Sequence, residues 1–198
     1  MSRVSRAQAK ANHRAIEDAA SKLFRERGLD AVSIADVMGE AGLTHGGFYG
    51  HFPSKDALAA SACEAAFAMS AEKWRRRIDA APSPTIARRR IAEGYLSSQN
   101  RDPAVATCPT ATLATDVARV GHGHPIRPAY LEGVRQQIET LATLMDSGDA
   151  RRDRAAACVR LATMMGGLLL ARAAHGDPLA DEIAGAVRAQ LVQEGRPR

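Results

Sequence analysis

The sequence predicts an all-α chain: an N-terminal three-helix unit containing a helix-turn-helix, followed by a larger C-terminal helical bundle, about nine helices in all. Three observations predict this. Apolar residues recur at three- and four-residue spacing along the chain, and no segment alternates apolar and polar residues as a half-buried strand does. Alanine is abundant and aromatic residues are only 4% of the chain, a balance that favours helix. Gly, Pro and small polar capping residues punctuate the periodic segments.

The elements follow in order. Residues 1 to about 10 are basic and polar and predict a mobile arm carrying Arg3, Arg6 and Lys10. Ile16, Ala19, Ala20, Leu23 and Phe24 mark a first helix that Gly28 stops. Ser33 caps a second helix running to Ala41, with Asp36 in the capping-box position and Val32 and Val37 at the staple positions. Gly42 breaks it. Thr44 then caps a third helix to His51, with Leu43 and Phe48 as a second staple. Pro53 ends that one, and Ser54 caps a fourth through Leu58, Ala62, Ala66 and Met69. Pro82-Ser83-Pro84 reads as a linker, and further helices are expected near 85–100, 109–120, 127–146, 152–174 and 179–193.

Two short helices across a glycine turn have the shape of a DNA-reading helix-turn-helix, and equally of a simple packing unit. Two details favour the DNA reading. The third helix carries Gly46, Gly47 and Gly50, each costing roughly 1 kcal/mol against alanine in a helix interior. Close approach to another surface, such as a DNA backbone, would compensate. Lys55 stands in the first turn of the fourth helix, where a cation opposes the helix dipole unless a phosphate lies between. Ser33, Thr44, His45, Tyr49 and His51 are hydrogen-bonding types suited to phosphates and base edges. The net charge of +5, with Arg14 continuing the basic arm, suits a polyanionic partner.

Ser33-Ile34-Ala35-Asp36-Val37, and Ala41-Gly42-Leu43-Thr44-His45-Gly46-Gly47-Phe48-Tyr49-Gly50-His51-Phe52-Pro53-Ser54-Lys55-Asp56-Ala57-Leu58, resemble the N-terminal signature of the tetracycline-repressor (TetR/AcrR) family. The resemblance covers roughly residues 12–60. It implies that Phe48, Phe52 and Leu58 are core and that Thr44, His45, Tyr49, His51 and Lys55 face DNA. It also implies a reader domain over residues 1–55 and a ligand-binding and dimerisation domain over 56–198. Gly47 and Gly50 are smaller than the family's usual residues there. The function implied is a cytoplasmic, homodimeric regulator, a repressor released from a palindromic operator in double-stranded DNA by a small-molecule effector.

The C-terminal half carries no strong chemical signature. Leu161, Met165, Leu168 and Leu169, with Ile183, Val187 and Leu191, form helical apolar stripes that suit a dimer interface of two helices per chain, or else core within one chain. Trp74, Tyr95, Leu96, Cys108, Leu113, Leu141, Met145 and Met164 are candidate lining of an effector pocket, or ordinary core. Cys108 precedes Pro109, so its sulfur is expected at a helix N-terminus, where thiolates are favoured. The segment Cys108 to Val117 also resembles a family branch with a cysteine here, some members of which respond to electrophiles or oxidants. An electrophile-sensing or oxidant-sensing repressor is therefore the alternative function, and a buried inert thiol the plain one.

Other classes are poorly supplied. The sequence shows no nucleophile–base pair, P-loop or dinucleotide fingerprint, so an enzyme is not expected, nor a cofactor or metal. His122-Gly123-His124 is a weak metal signal. Three scattered cysteines suit neither a disulfide scaffold nor structural zinc. Neither a signal peptide nor a membrane span is expected; the uncharged stretch between Arg160 and Arg172 falls short of the roughly 20 residues needed. The arginine runs 75–77 and 88–90 read as solvated helix faces. A ligand-free DNA-organising dimer is the remaining competitor.

Overall fold

The computed structural model describes residues 5–193. Among these are ten α-helices, one 3-10 helix and no strand. The order is α1 (Arg6–Arg27), α2 (Ile34–Glu40), the 3-10 helix (His45–Gly50), α3 (Lys55–Asp79), α4 (Pro84–Tyr95), α5 (Ser98–Arg101), α6 (Pro109–Thr112), α7 (Ala114–Arg119), α8 (Ile126–Ala142), α9 (Ala150–Ala173) and α10 (Leu179–Gln193).

Serine starts many of these helices, because its hydroxyl satisfies an amide that the first turn leaves free. Ser5, Ser33, Ser54, Ser83 and Ser97 each accept from the amide of the third residue beyond. The Ser5 cap starts α1 earlier than the basic arm suggested, so Arg6, Lys10 and Arg14 are helical; Arg3 lies outside the described residues. The expected 85–100 helix ends at Tyr95, and Asn100 folds back to donate to the Gly94 and Tyr95 carbonyls. The expected 109–120 helix is two short helices meeting at Leu113.

Two apolar cores share α3. Ile16, Leu23, Phe24, Val37, Phe48, Phe52 and Leu58 form the first. It extends beyond residue 55 to take in Phe67, Leu113, Val117, Ile126 and Ala129, so α7 and α8 close the N-terminal unit from below. Trp74, Ile91, Leu96, Leu141, Leu161, Met164 and Leu168 form the second. α8 crosses α3 closely: a Cβ added at Gly133 would run into the Phe67 ring. α9 is long and apolar enough to cross a bilayer by length and composition, and its Ala157, Leu161, Met164 and Leu168 face is packed into the second core.

Candidate nucleic-acid interface and the cavity behind it

The helix-turn-helix is assembled by local hydrogen bonds. At its start the Ser33 hydroxyl accepts from the Asp36 amide at 3.1 Å, and the Asp36 carboxylate accepts from the Ser33 amide at 2.8 Å. The Ser33 hydroxyl also donates to the Asp36 carboxylate at 2.5 Å, and this bond, followed by the one from the Ser33 amide, holds the Asp36 carboxyl below its ordinary pKa. At its end Gly42 takes φ +69°, the left-handed conformation the turn needs. Gly42 then donates to the Gly39 carbonyl at 3.0 Å and Leu43 to the Met38 carbonyl at 2.8 Å, the paired bonds of a Schellman turn.

The third element differs from the expected α-helix over Thr44–His51. It is a 3-10 helix over His45–Gly50, and Thr44 occupies the cap position without a side-chain cap bond. The Gly47 amide donates to the Thr44 carbonyl at 3.0 Å instead. Three glycines in six residues weaken α-helix propensity enough for the tighter turn to win. Phe48 is fully buried and anchors the element, whereas Tyr49 is 66% exposed and meets Phe48 edge-on. Thr44, His45, Gly46 and Gly47 are exposed, and His51 is half-buried.

The fold itself makes little demand for these glycines. All three have ordinary negative φ. A Cβ at Gly46 or Gly50 would meet nothing within 4 Å, and one at Gly47 only the Met38 Cε at 3.7 Å. Open space therefore surrounds the missing side chains, as a surface that admits a close outside partner requires.

Cations flank this element. His13 of α1 stacks on Phe52 at 4.3 Å and lies 6.1 Å from the His51 ring, which sets the start of α1 beside the end of the 3-10 helix. Arg6, Lys10 and Arg14, at four-residue spacing, are exposed there. Lys55 is the first residue of α3, half-buried, after the Ser54 cap. The salt bridges formed among the described residues involve none of Arg6, Lys10, Arg14 and Lys55. His124 approaches the neighbouring Asp56 at 3.4 Å and accepts from the Ile126 amide at 3.2 Å, so it pins α8 to the start of α3. The described residues hold no group of three or more metal-ligating side chains.

Behind the helix-turn-helix lies a cavity of about 270 Å³ bounded by α1, α3, α4 and residues 97–109. Of the candidate pocket residues, Trp74, Tyr95 and Cys108 line it. Leu96, Leu141 and Met164 are buried in the second core, Leu113 in the first, and Met145 packs half-buried against the second. Unanticipated lining includes Arg25, Ser70, Lys73, Arg77 and Asn100. On α3 the signal was present: Ala66, Ser70, Lys73, Trp74 and Arg77 recur at helical spacing on one face. Nothing in the sequence marked Arg25. The arginine runs are likewise more than solvated faces, for Arg88 donates to the Leu144 carbonyl and Arg90 to the Ala80 carbonyl.

Cys108 is the cap residue of the four-residue α6, with no side-chain cap bond. Its half-buried Sγ accepts from Gln137 Nε2 at 3.5 Å. The Tyr95 hydroxyl is buried beside Cys108, and burial followed by the neighbouring Cys108 raises its pKa well above the ordinary tyrosine value. Among the candidate interface residues, Leu161, Leu168 and Leu191 are buried within the chain itself, while Met165, Leu169, Ile183 and Val187 are half-buried. The most exposed large apolar residues of α9 and α10 are Val159, Leu170 and Leu179.

The sequence profile of the tetR family of bacterial regulatory proteins matches residues 16–62. The HTH-type transcriptional regulator YerO of Bacillus subtilis (strain 168) is 43% identical over 54 residues, which is 27% of this chain and 19% of YerO. The chain thus matches about a fifth of that relative's length. Among solved structures, a TetR-family regulator from Agrobacterium tumefaciens superposes with a TM-score of 0.77 at 21% identity, covering 94% of this chain and 98% of its own. A TetR regulator from Chloroflexus aurantiacus gives 0.76 at 23% identity, covering 94% and 97%. E. coli NemR in its reduced form gives 0.74 at 17% identity, covering 90% and 95%. At these identities the likeness is one of fold, and it spans nearly the whole chain.

Proposed function

We propose that the chain is a homodimeric repressor of the tetR family of bacterial regulatory proteins, whose profile matches residues 16–62 and whose members include structures of the same fold. Residues 1–55 read a palindromic operator, and the rest of the chain dimerises and takes up a small-molecule effector that releases the DNA. One observation carries the reading. Thr44, at the cap of the 3-10 helix, and His45 and Tyr49 within it are exposed, beside glycines whose missing side chains leave open space and cations that no salt bridge among the described residues pairs. Val159, Leu170 and Leu179, exposed on α9 and α10, support the dimer. The cavity adjoins both α1 and the α3 helix that begins at Lys55, which supports an effector acting on the spacing of two reader heads.

The test is a titration of the purified chain into labelled DNA from beside its own gene, against a scrambled duplex, at two salt concentrations. Selective binding, weakened by salt, at two protomers or more per site is expected. Equal binding to both duplexes would overturn the reading.

A second reading is a thiol sensor. Cys108 lies on the cavity wall with its sulfur half-buried, and the fold matches NemR, whose solved form is a reduced one. A Michael acceptor would add through its β-carbon to Sγ, and the thiol proton would end on the acceptor's α-carbon, leaving a thioether. Loss of electrophile-driven DNA release in Cys108→Ser is expected; unchanged release would eliminate this reading.

A further inference from the structure

We propose that the cavity behind the helix-turn-helix binds a small organic carboxylate with one or two flat rings. This deepens the effector reading above and rests on it only for the step from binding to DNA release.

The wall is positively charged without compensation. Arg25, Lys73 and Arg77 line the cavity, and none of the described residues lining it is acidic. α3 supplies its own contrast. Arg75 and Arg76, on the outer side of the helix, pair with Glu72 at 2.6 and 3.2 Å. Lys73 and Arg77 point to the cavity, and the ion pairs of the described residues include neither. Arg25 is buried, and its hydrogen bonds go to neutral oxygens only: the Ser21 carbonyl, the Ser21 hydroxyl and the Thr107 carbonyl. Burial lowers the pKa of Arg25 and Arg77 alike. Arg25 is thus a buried cation with no acidic partner, half-buried Arg77 and exposed Lys73 add charge beside it, and a bound carboxylate is the group that relieves the cost.

Arg77 is also held in place. A Cβ at Gly94 would run into its guanidinium, so the glycine lets that group lie against α4 at the cavity wall. A planar fork in that position suits a carboxylate better than a point charge would. Trp74 and Tyr95 add flat apolar wall. At about 270 Å³ the cavity falls just below the roughly 300–1,000 Å³ of ordinary ligand pockets, so large multi-ring molecules do not fit.

Trp74 is the chain's single tryptophan and lines this cavity as well as a second one between α3 and α8, so its fluorescence reports binding and the Arg77 variants assign it to this site. The full-length protein would be titrated with benzoate, phenylacetate and cinnamate, each against its neutral amide, with thermal shift as a second readout. At least one carboxylate should change the signal saturably, and its amide should bind about tenfold or more weakly, as losing a charged hydrogen bond implies. Arg77→Gln should weaken the carboxylate by a similar factor, and Arg77→Lys by less. An amide that binds as well as its acid, or no saturable change with any of the three acids, would overturn the proposal. A carboxylate that binds yet leaves operator binding unchanged upholds the anion site and sinks the release step instead.

Discussion

The Arg25 guanidinium, near the end of α1, donates to the Thr107 carbonyl at 2.9 Å, across 82 residues of chain. Thr107 immediately precedes Cys108, and both line the cavity with Arg25. The same guanidinium holds the Ser21 carbonyl at 2.6 Å. One buried side chain therefore ties the helix carrying the basic stripe to the strip of backbone that a ligand would touch. A second tie runs parallel: the Asp116 carboxylate of α7 accepts from the Leu29 amide at 3.4 Å in the turn after α1.

Arg25→Met should both destabilise the fold and loosen this link. Leaving the Thr107 carbonyl without its Arg25 donor in a buried site costs about 1–3 kcal/mol, readable by urea denaturation. Ligand-driven loss of DNA binding should shrink more than DNA binding itself. Full retention of ligand-driven release would show that coupling runs by another route.

Gly46→Ala and Gly50→Ala separate fold from recognition. Neither Cβ meets anything within 4 Å, so stability should hold or rise by up to about 1 kcal/mol. Operator affinity should fall by about tenfold for at least one of them, since each methyl occupies the space a close DNA backbone would use. Thermal melts and DNA titrations of the same preparations decide it. Affinity unchanged in both would mean that the glycines serve only the 3-10 turn.

Ser33→Ala removes the capping box of α2. The expected loss is about 1 kcal/mol, a fall in Tm of roughly 2–4 °C for a chain of this size. Asp36→Asn should lose less, because it keeps an acceptor for the Ser33 amide. Equal losses would mean that the charge, and not the hydrogen bond, stabilises the helix start.

The three thiols should react in a fixed order with iodoacetamide at neutral pH, followed by mass spectrometry. Cys158 is exposed and should label first, with half-buried Cys108 next. Cys63 is buried, and that burial pushes its pKa to about 12. Its thiolate is then on the order of one molecule in 100,000 at pH 7, and it should stay unlabelled until the protein unfolds. Early labelling of Cys63 would reveal an opening of the first core.

The local signals were legible wherever a few adjacent residues decide the outcome. The Ser33–Asp36 box, the Gly42 turn and the Ser54 cap each depend on bonds spanning a handful of residues, and each formed where the sequence put it. Buried Phe48, Phe52 and Leu58 likewise follow from spacing and from the family resemblance. The third element was harder to read: its caps and staple suggested an α-helix, and only the combined weakness of three glycines made it 3-10. Trp74, Tyr95 and Cys108 were recognisable as candidates, yet Leu96, Leu113, Leu141 and Met164, with the same apolar character, went to core. An apolar residue looks alike in sequence whether its neighbour is another side chain or an empty volume, and only the packing of distant helices separates the two. Arg25 shows the limit most sharply. One of two arginines in the last turn of an amphipathic helix reads as a solvated charge, and it became a buried link because Thr107 arrives from a different part of the chain to receive it. Capping, turn geometry and helical periodicity were set by the sequence because their interactions are short-range. The cavity, its uncompensated charge and its tie to the reader exist only once segments far apart in the chain meet.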